Sequence, residues 1–384
     1  MNRRDFLKAA GVGLAMATLP RWLSAVVDTP ARGRRPNIIL ILADDVGIGD
    51  VGCTGGPFPT PRIDALAAGG TRFDLCYSTP LCGPSRCELL TGRYPFRTGL
   101  INNQSAGAVQ PGRETMIPTV MKKAGYVTAS VGKWGQISLG PHQWGFDNYL
   151  VFVGSGRYWA SQGHFYTVDG VRKTQTATQY MPDLMHDYAV NFIDRHQQEP
   201  FFLYYPMSHI HVPILPTPDS KPGATHAELY ADNIAYMDKL VGKLVDELDK
   251  RKLRENTLVI FTGDNGTAPY GIPYASVHGQ PFSGRKGTLT EGGSRVPLIA
   301  NWPGTTPAGQ VNTDLVELNG KSYVRDARYK LTSGGDLYDM SNAPYDEIPV
   351  AKDTTDPAVL AARQTLQAVL NTHPAAKPPP FTTR

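Results

Sequence analysis

Pro36-Asn37-Ile38-Ile39-Leu40-Ile41-Leu42-Ala43-Asp44-Asp45 is an apolar, isoleucine-rich run that stops abruptly at two carboxylates. A near-continuous run of this kind predicts a strand buried on both faces, as in a parallel sheet covered by helices. Three further runs share the pattern. Tyr126-Val127-Thr128-Ala129-Ser130-Val131-Gly132 ends at Lys133, Phe201-Phe202-Leu203-Tyr204-Tyr205 runs towards His209 and His211, and Leu258-Val259-Ile260-Phe261-Thr262 ends at Gly263-Asp264-Asn265. Helical patterns lie between them at 62–68, 115–124, 183–196 and 227–251. In the last, Met237, Leu240, Val241, Leu244, Val245 and Leu248 repeat at i, i+3, i+4 and make one buried face. Strand and helix alternate, so the chain is expected to be α/β. Ligands of such sheets bind beyond the carboxyl ends of the strands, where the four polar terminators would meet.

Asp44, Asp45, Asp264 and Asn265 would bring oxygen donors from two distant parts of the chain to neighbouring strand ends. Hard oxygen ligands suit Ca²⁺ or Mg²⁺ rather than zinc. Asp-Asp after a strand is by itself more often a turn or a helix cap, and the matching Gly-Asp-Asn-Gly at a second strand end favours the metal. Cys82-Gly83-Pro84-Ser85-Arg86 precedes a helical stretch over 87–91 that ends near Gly92. A helix N-terminus beside an arginine binds anions, and a cysteine placed there is reactive. Alone, the pentapeptide reads equally well as a buried cysteine in a turn.

With 384 residues, 41% hydrophobic and 19% charged, the chain has the composition of one large domain or two moderate ones, which excludes disorder of the whole. Met1-Asn2-Arg3-Arg4-Asp5-Phe6-Leu7-Lys8, an apolar stretch at 9–19 and Ser24-Ala25 have the layout of a signal peptide over 1–25. The paired arginines resemble a twin-arginine export signal, which makes the export machinery a partner and the periplasm or the outside the destination. No stretch has the length of a permanent membrane anchor, so the mature protein is expected to be soluble. Removal of the signal takes Arg3, Arg4, Lys8 and Arg21 against Asp5, and the net charge of +4 falls to about +1. Nothing in that balance suggests nucleic-acid binding. Cys53, Cys76, Cys82 and Cys87 allow disulfides, although for all but Cys82 a small buried residue is at least as good a reading.

Cys-x-Pro-Ser-Arg at 82–86, followed by Leu90-Thr91-Gly92-Arg93, resembles the signature of the formylglycine-dependent sulfatases, arylsulfatase-like members of the alkaline phosphatase-like superfamily. Asp44-Asp45 and Gly263-Asp264-Asn265-Gly266 resemble that family's metal motifs. Gly284-Arg285-Lys286 through Glu291-Gly292-Gly293-Ser294-Arg295-Val296-Pro297 is similar to another of its blocks. The likeness runs in order from about 36 to 303 and resumes near 323. It implies a large mixed, mostly parallel sheet flanked by helices, and a Cys82 oxidised to formylglycine by a maturation enzyme. It also implies Ca²⁺ (or Mg²⁺) held by Asp44, Asp45, Asp264, Asn265 and residue 82. A hydroxyl of the hydrated aldehyde would attack sulfur in a sulfated small molecule or glycan. Arg86, Lys133 and Lys286 would neutralise the sulfate oxygens, and His211 would protonate the departing alcohol, with His209, two residues away on the same side of an extended chain, in reserve.

Two departures stand out. Relatives carry Gly-Lys-Trp-His where this chain reads Gly132-Lys133-Trp134-Gly135-Gln136, so Gln136, His142, His164 or His278 would have to replace an imidazole, or turnover is slow. Relatives also have a long stretch after the block ending near Glu317, whereas Leu318-Asn319-Gly320 here runs almost directly into Tyr323-Val324-Arg325. The expected division is a catalytic domain at 36–314, an abbreviated C-terminal subdomain at 315–372 with apolar surface exposed beside Val316, and a loose tail at 373–384. Loops 154–178 and 270–282 carry Tyr158, Trp159, Phe165, Tyr166, Tyr270 and Tyr274, which could stack on a substrate ring or simply pack. The competing functions are a phosphonate or phosphate ester hydrolase of the same superfamily and a non-catalytic binder of sulfated glycans.

Overall fold

The run at 36–43 forms strand β1 (Asn37–Ala43) in the computed structural model, which describes residues 35–134, 137–160, 165–306, 314–318 and 321–372. Eight more strands complete the main sheet: β2 (Thr71–Phe73), β3 (Val127–Lys133), β4 (Asn148–Phe152), β5 (Phe165–Val168), β6 (Val171–Thr174), β7 (Phe201–Pro206), β8 (Thr257–Gly263) and β9 (Leu298–Asn301). Their order is β2-β9-β8-β1-β7-β3-β4-β5-β6. The five central strands are parallel and the outer pairs antiparallel, which is the mixed, mostly parallel sheet expected. The edge strand β6 is exposed throughout and carries Arg172 and Lys173, charges that discourage pairing with another chain.

Both faces of β1 are buried, and each belongs to a different core. Ile39 and Ile41 pack with Phe201, Leu203 and Tyr205 of β7, whereas Leu40 and Leu42 pack with Phe202 and Tyr204 on the other side. The principal helices are α1 (Pro61–Ala68), α2 (Cys82–Thr91), α3 (Ile117–Lys123), α4 (Met181–Arg195), α5 (His226–Lys250) and α6 (Pro357–Thr372). The first core takes Met185, Ala189 and Phe192 of α4 and Met237, Leu240, Val241 and Leu244 of α5. The second takes Leu90 of α2 with Met116, Trp144 and Phe146. Helix α5 starts at a reciprocal cap. Glu228 N–H donates to Thr225 Oγ1 (3.3 Å), and the Glu228 carboxylate accepts from Thr225 N–H (2.7 Å). Helix α2 begins at Cys82, five residues before the helical stretch read from the sequence, and stops at Gly92 with φ +65°.

A second, antiparallel sheet runs β10 (Asp314–Leu318), β11 (Lys321–Arg325), β12 (Tyr329–Thr332), β13 (Leu337–Asp339) and β14 (Ile348–Pro349), with α6 packed on its strands. A buried ion pair ties it to the turn that precedes β9. Arg325 Nη1 lies 2.7 Å from Glu291 Oε1, with both side chains almost fully buried. Arg295 reaches the other Glu291 oxygen at 3.1 Å, and Tyr323 bonds Ser294 at 2.7 Å. No disulfide joins Cys53, Cys76, Cys82 or Cys87. The signal region, the tail and the Val316 side chain lie outside the described residues. Among those residues no helix is long and apolar enough to cross a membrane.

Removing one partner of a buried ion pair strands the other without hydration. Arg325→Met is therefore expected to destabilise the protein by ~3–5 kcal/mol, measured by chemical denaturation.

Candidate functional site

Parallel register delivers the polar strand ends to one place. Ala43 pairs with Gly263, so Asp44 and Asp264 are the next residues on adjacent strands, and Asp264 N–H donates to Ala43 O at 2.9 Å. Asp45 sits in the left-handed region (φ +65°), which aspartate tolerates better than most residues, and its N–H donates to Asp264 Oδ1 at 3.0 Å. Crowding at these strand ends demands glycine. A Cβ on Gly263 would stand 2.0 Å from Val46 O, and one on Gly132 would stand 2.0 Å from Pro206 O.

Asp44, Asp45, Asp264 and Asn265 are completely buried, and each carboxylate has found a cation. Lys133 Nζ donates to both oxygens of Asp44, at 2.9 and 2.7 Å. Arg86 places Nε and Nη2 on Asp264 Oδ2, at 2.9 and 2.7 Å, with Nη2 also 3.5 Å from Asp44. Asp45 receives Lys286, Asn265 Nδ2 (2.9 Å) and the Tyr270 hydroxyl (2.5 Å). Burial opposes ionisation of Asp44, yet Lys133 and Arg86 outweigh it and hold the carboxyl well below its ordinary range. Burial is likewise overcome at Asp45, chiefly by Lys286. At Asp264 burial prevails, helped by the like charges of Asp44 and Asp45 against the pull of Arg86, and the carboxyl is held above its ordinary value.

Asn265 spends its amide N–H groups on Asp45 and Gly266, which leaves its buried Oδ1 with no hydrogen-bond partner. A bare oxygen among three crowded carboxylates fits a hard cation. Cys82 occupies the first turn of α2 with 1% of its surface exposed. Its Sγ lies 3.5 Å from Asn103 Nδ2, so it faces a polar group rather than a sealed apolar interior.

His211 Nδ1 contacts the Val212 carbonyl at 2.8 Å and so carries a hydrogen there, leaving Nε2 to face Asp45 Oδ2 at 3.9 Å. Donor atoms of Asp44, Asp45 and His211 fall within 4.8 Å of one another, a grouping not foreseen from the sequence. The ring keeps 19% side-chain exposure, which leaves it open to a ligand. His209 is not its equivalent. A turn closed by His211 N–H to Ser208 O (3.1 Å) replaces the extended chain expected here, and it sends His209 into a cage of Tyr158, Tyr180 and Tyr236. Burial pushes its pKa down to about 3.

Of the aromatic candidates, Phe165 is exposed, whereas Tyr158 is buried and donates to Ser208 O and His211 O. Tyr270 bonds Asp45 rather than facing a ligand. His142 stacks on Tyr149, while Gly135, Gln136 and His164 lie outside the described residues.

Residues 36–319 match the Sulfatase family. The chain belongs to the sulfatase family. Residues 1–20 match the twin-arginine translocation pathway signal sequence, which directs export to the periplasm or beyond. The chain is similar to N-acetylgalactosamine-6-sulfatase of Canis lupus familiaris, 36% identical over 80% of this chain and 62% of that protein. It is also similar to arylsulfatase G of Rattus norvegicus, 33% identical over 82% of this chain and 69% of that one. This sulfatase-family chain thus spans about three fifths of the length of the N-acetylgalactosamine-6-sulfatases it matches. Among solved structures it resembles Ps i-CgsB, with TM-score 0.76 and 25% identity over 91% of this chain and 95% of that one. It also resembles the PsFucS1 sulfatase from Pseudoalteromonas sp., with TM-score 0.70 and 25% identity over 89% and 90%.

His209 yields a pH prediction. The unfolded chain binds a proton near the ordinary histidine value of 6.5, but the folded ring does so only near 3, so unfolding takes up a proton between those values. The stability of the neutral ring is intact above 6.5 and is lost as pH falls towards 3, by up to about 1.4 kcal/mol per pH unit. His209→Gln should flatten this part of the dependence, seen as a smaller drop in Tm between pH 6.5 and 4 than in the parent.

Proposed function

We propose that the chain hydrolyses sulfate esters to an alcohol and inorganic sulfate, using Ca²⁺ held by Asp44, Asp45, Asp264, Asn265 and residue 82, and a formylglycine made from Cys82. The observation that carries this reading is the convergence of three carboxylates, three cations and the bare Asn265 oxygen at the end of the sheet where α2 presents Cys82. When present, formylglycine supplies an oxygen nucleophile and Ca²⁺ draws charge from the sulfate.

The charges of the chain suit such a substrate. Asp44, Asp45 and Asp264 balance Arg86, Lys133 and Lys286, so a divalent ion would leave the site with two positive charges to attract a sulfate monoester. Arg86 Nη1 is buried and unpartnered, a guanidinium donor left for an anionic oxygen. Lys133 and Lys286 stand ready on the carboxylates to neutralise charge that grows on sulfate oxygens, with no reorganisation at the moment of reaction. His211, the partly exposed ring whose Nε2 lies 3.9 Å from Asp45, would in its doubly protonated form pass the Nε2 proton to the departing alkoxide and keep the hydrogen on Nδ1. The names of the similar sulfatases support a sulfated substrate, and the twin-arginine match supports maturation of the chain before export.

The test is hydrolysis of 4-nitrophenyl sulfate and N-acetylgalactosamine 6-sulfate, with an aryl phosphonate in parallel, by protein co-produced with a formylglycine-generating enzyme. Sulfate release should exceed phosphonate hydrolysis, disappear in Cys82→Ala and require Ca²⁺ after chelation. Asp264→Asn should weaken Ca²⁺ binding about 10–100-fold by calorimetry. An unmodified Cys82 thiol by mass spectrometry in protein from its native host, with no sulfate released, would favour the glycan-binding alternative instead.

A further inference from the structure

We infer that Asn103 is a positioning residue for the side chain at position 82, holding it through an amide N–H donor; the inference rests on the proposed sulfatase reading. Asn103 opens a short helical turn, Asn103–Ala108, and its placement is fixed on both sides. Before it, Asn102 Oδ1 accepts from Gln104 N–H at 3.0 Å, and Ser105 Oγ accepts from Asn102 N–H at 3.1 Å and returns a bond to Asn102 O at 2.8 Å. These bonds brace the turn from its N-terminal side.

Facing the other way, Asn103 Oδ1 accepts from Gly83 N–H at 2.9 Å. That backbone group belongs to the first turn of α2 and has no acceptor within the helix. Since an N–H can only donate, the contact settles which end of the amide is oxygen; Nδ2 then lies 3.5 Å from Cys82 Sγ as a donor, while Oδ1, 3.7 Å from Sγ, can accept from the thiol. Among the described residues, Asn103 alone brings a side chain within hydrogen-bonding reach of Sγ. One amide thus grips both the backbone after residue 82 and the end of its side chain. A donor there steadies whatever negative charge residue 82 develops and restricts its rotamer, so its loss should fall on kcat more than on KM.

Two roles can be separated by one substitution. Asn103→Asp keeps an oxygen for Gly83 N–H and puts a favourable charge at a helix N-terminus, but it replaces the donor facing residue 82 by an acceptor. If Asn103 merely caps the helix, Asn103→Asp should behave like the parent or better. The inference instead expects Asn103→Asp to keep the parental Tm while kcat on 4-nitrophenyl sulfate falls about tenfold or more with KM within about twofold. Asn103→Ala should lose both Tm and kcat. A second readout needs no turnover. In protein made without the maturation enzyme, alkylation of Cys82 by a small neutral reagent at pH 8, followed by mass spectrometry, should be about fivefold or more slower in Asn103→Asp than in the parent. Parental kcat in Asn103→Asp, or parental alkylation, overturns the inference. A parent that hydrolyses no sulfate ester sinks the sulfatase reading alone, and the alkylation ratio then decides on Asn103.

Discussion

The pairing of Asp44 with Lys133 and of Asp264 with Arg86, all four side chains sealed from water, is the constraint around which the molecule is organised. Isolated charges at such depth are prohibitively costly, so each must meet its partner as the chain folds. The partners come from β1, β3, β8 and α2, and the two members of a pair lie as many as 178 residues apart in sequence. The central sheet satisfies this demand because parallel strands end together. An antiparallel arrangement of the same segments would send Asp44 and Asp264 to opposite edges.

The C-terminal sheet bears on the same site indirectly. Arg325 grips Glu291, five residues beyond Lys286, while Lys286 N–H bonds Thr267 O at 2.8 Å beside the Gly263-Asp264-Asn265 strand end. Tyr270 adds a second brace, donating to Asp45 and lying within bonding distance of Ile210 O (3.0 Å) and Val212 N (3.1 Å). Asp45 and the segment bearing His211 are thereby joined through one phenol. Asp50 works at a further remove, fully buried and accepting from Tyr230, Thr267 and Gly47, and burial raises its pKa to about 6.

Much of this was legible in the sequence because it rests on local pattern. The four apolar runs became the central strands β1, β3, β7 and β8, and the helices at 61–68, 117–123, 181–195 and 226–250 lie within three residues of the periodicities that announced them. Asp44, Asp45, Lys133, Asp264 and Asn265 were visible as strand terminators, since a polar residue that ends a doubly buried strand has few other places to go. Asn103 and the inward bond of Tyr270 left no such trace. Both act from irregular segments, where neither 2-fold nor 3.6-fold periodicity reports direction, and an Asn-Asn pair or a lone tyrosine in a loop has many ordinary explanations. The extended-chain rule failed at His209 because a turn, invisible to a two-residue alternation, sits between the two histidines.

Only 1% of Cys82 is open to solvent, and the residue is clasped in the opening turn of a helix packed beneath a nine-stranded sheet. A protein catalyst that oxidised this thiol could not enter so small an aperture and would have to meet the polypeptide before that turn closes. Passage by the twin-arginine route follows folding rather than preceding it. Any enzymatic alteration of this sulfur therefore belongs to the compartment in which the ribosome works, and its time window shuts when the sheet assembles.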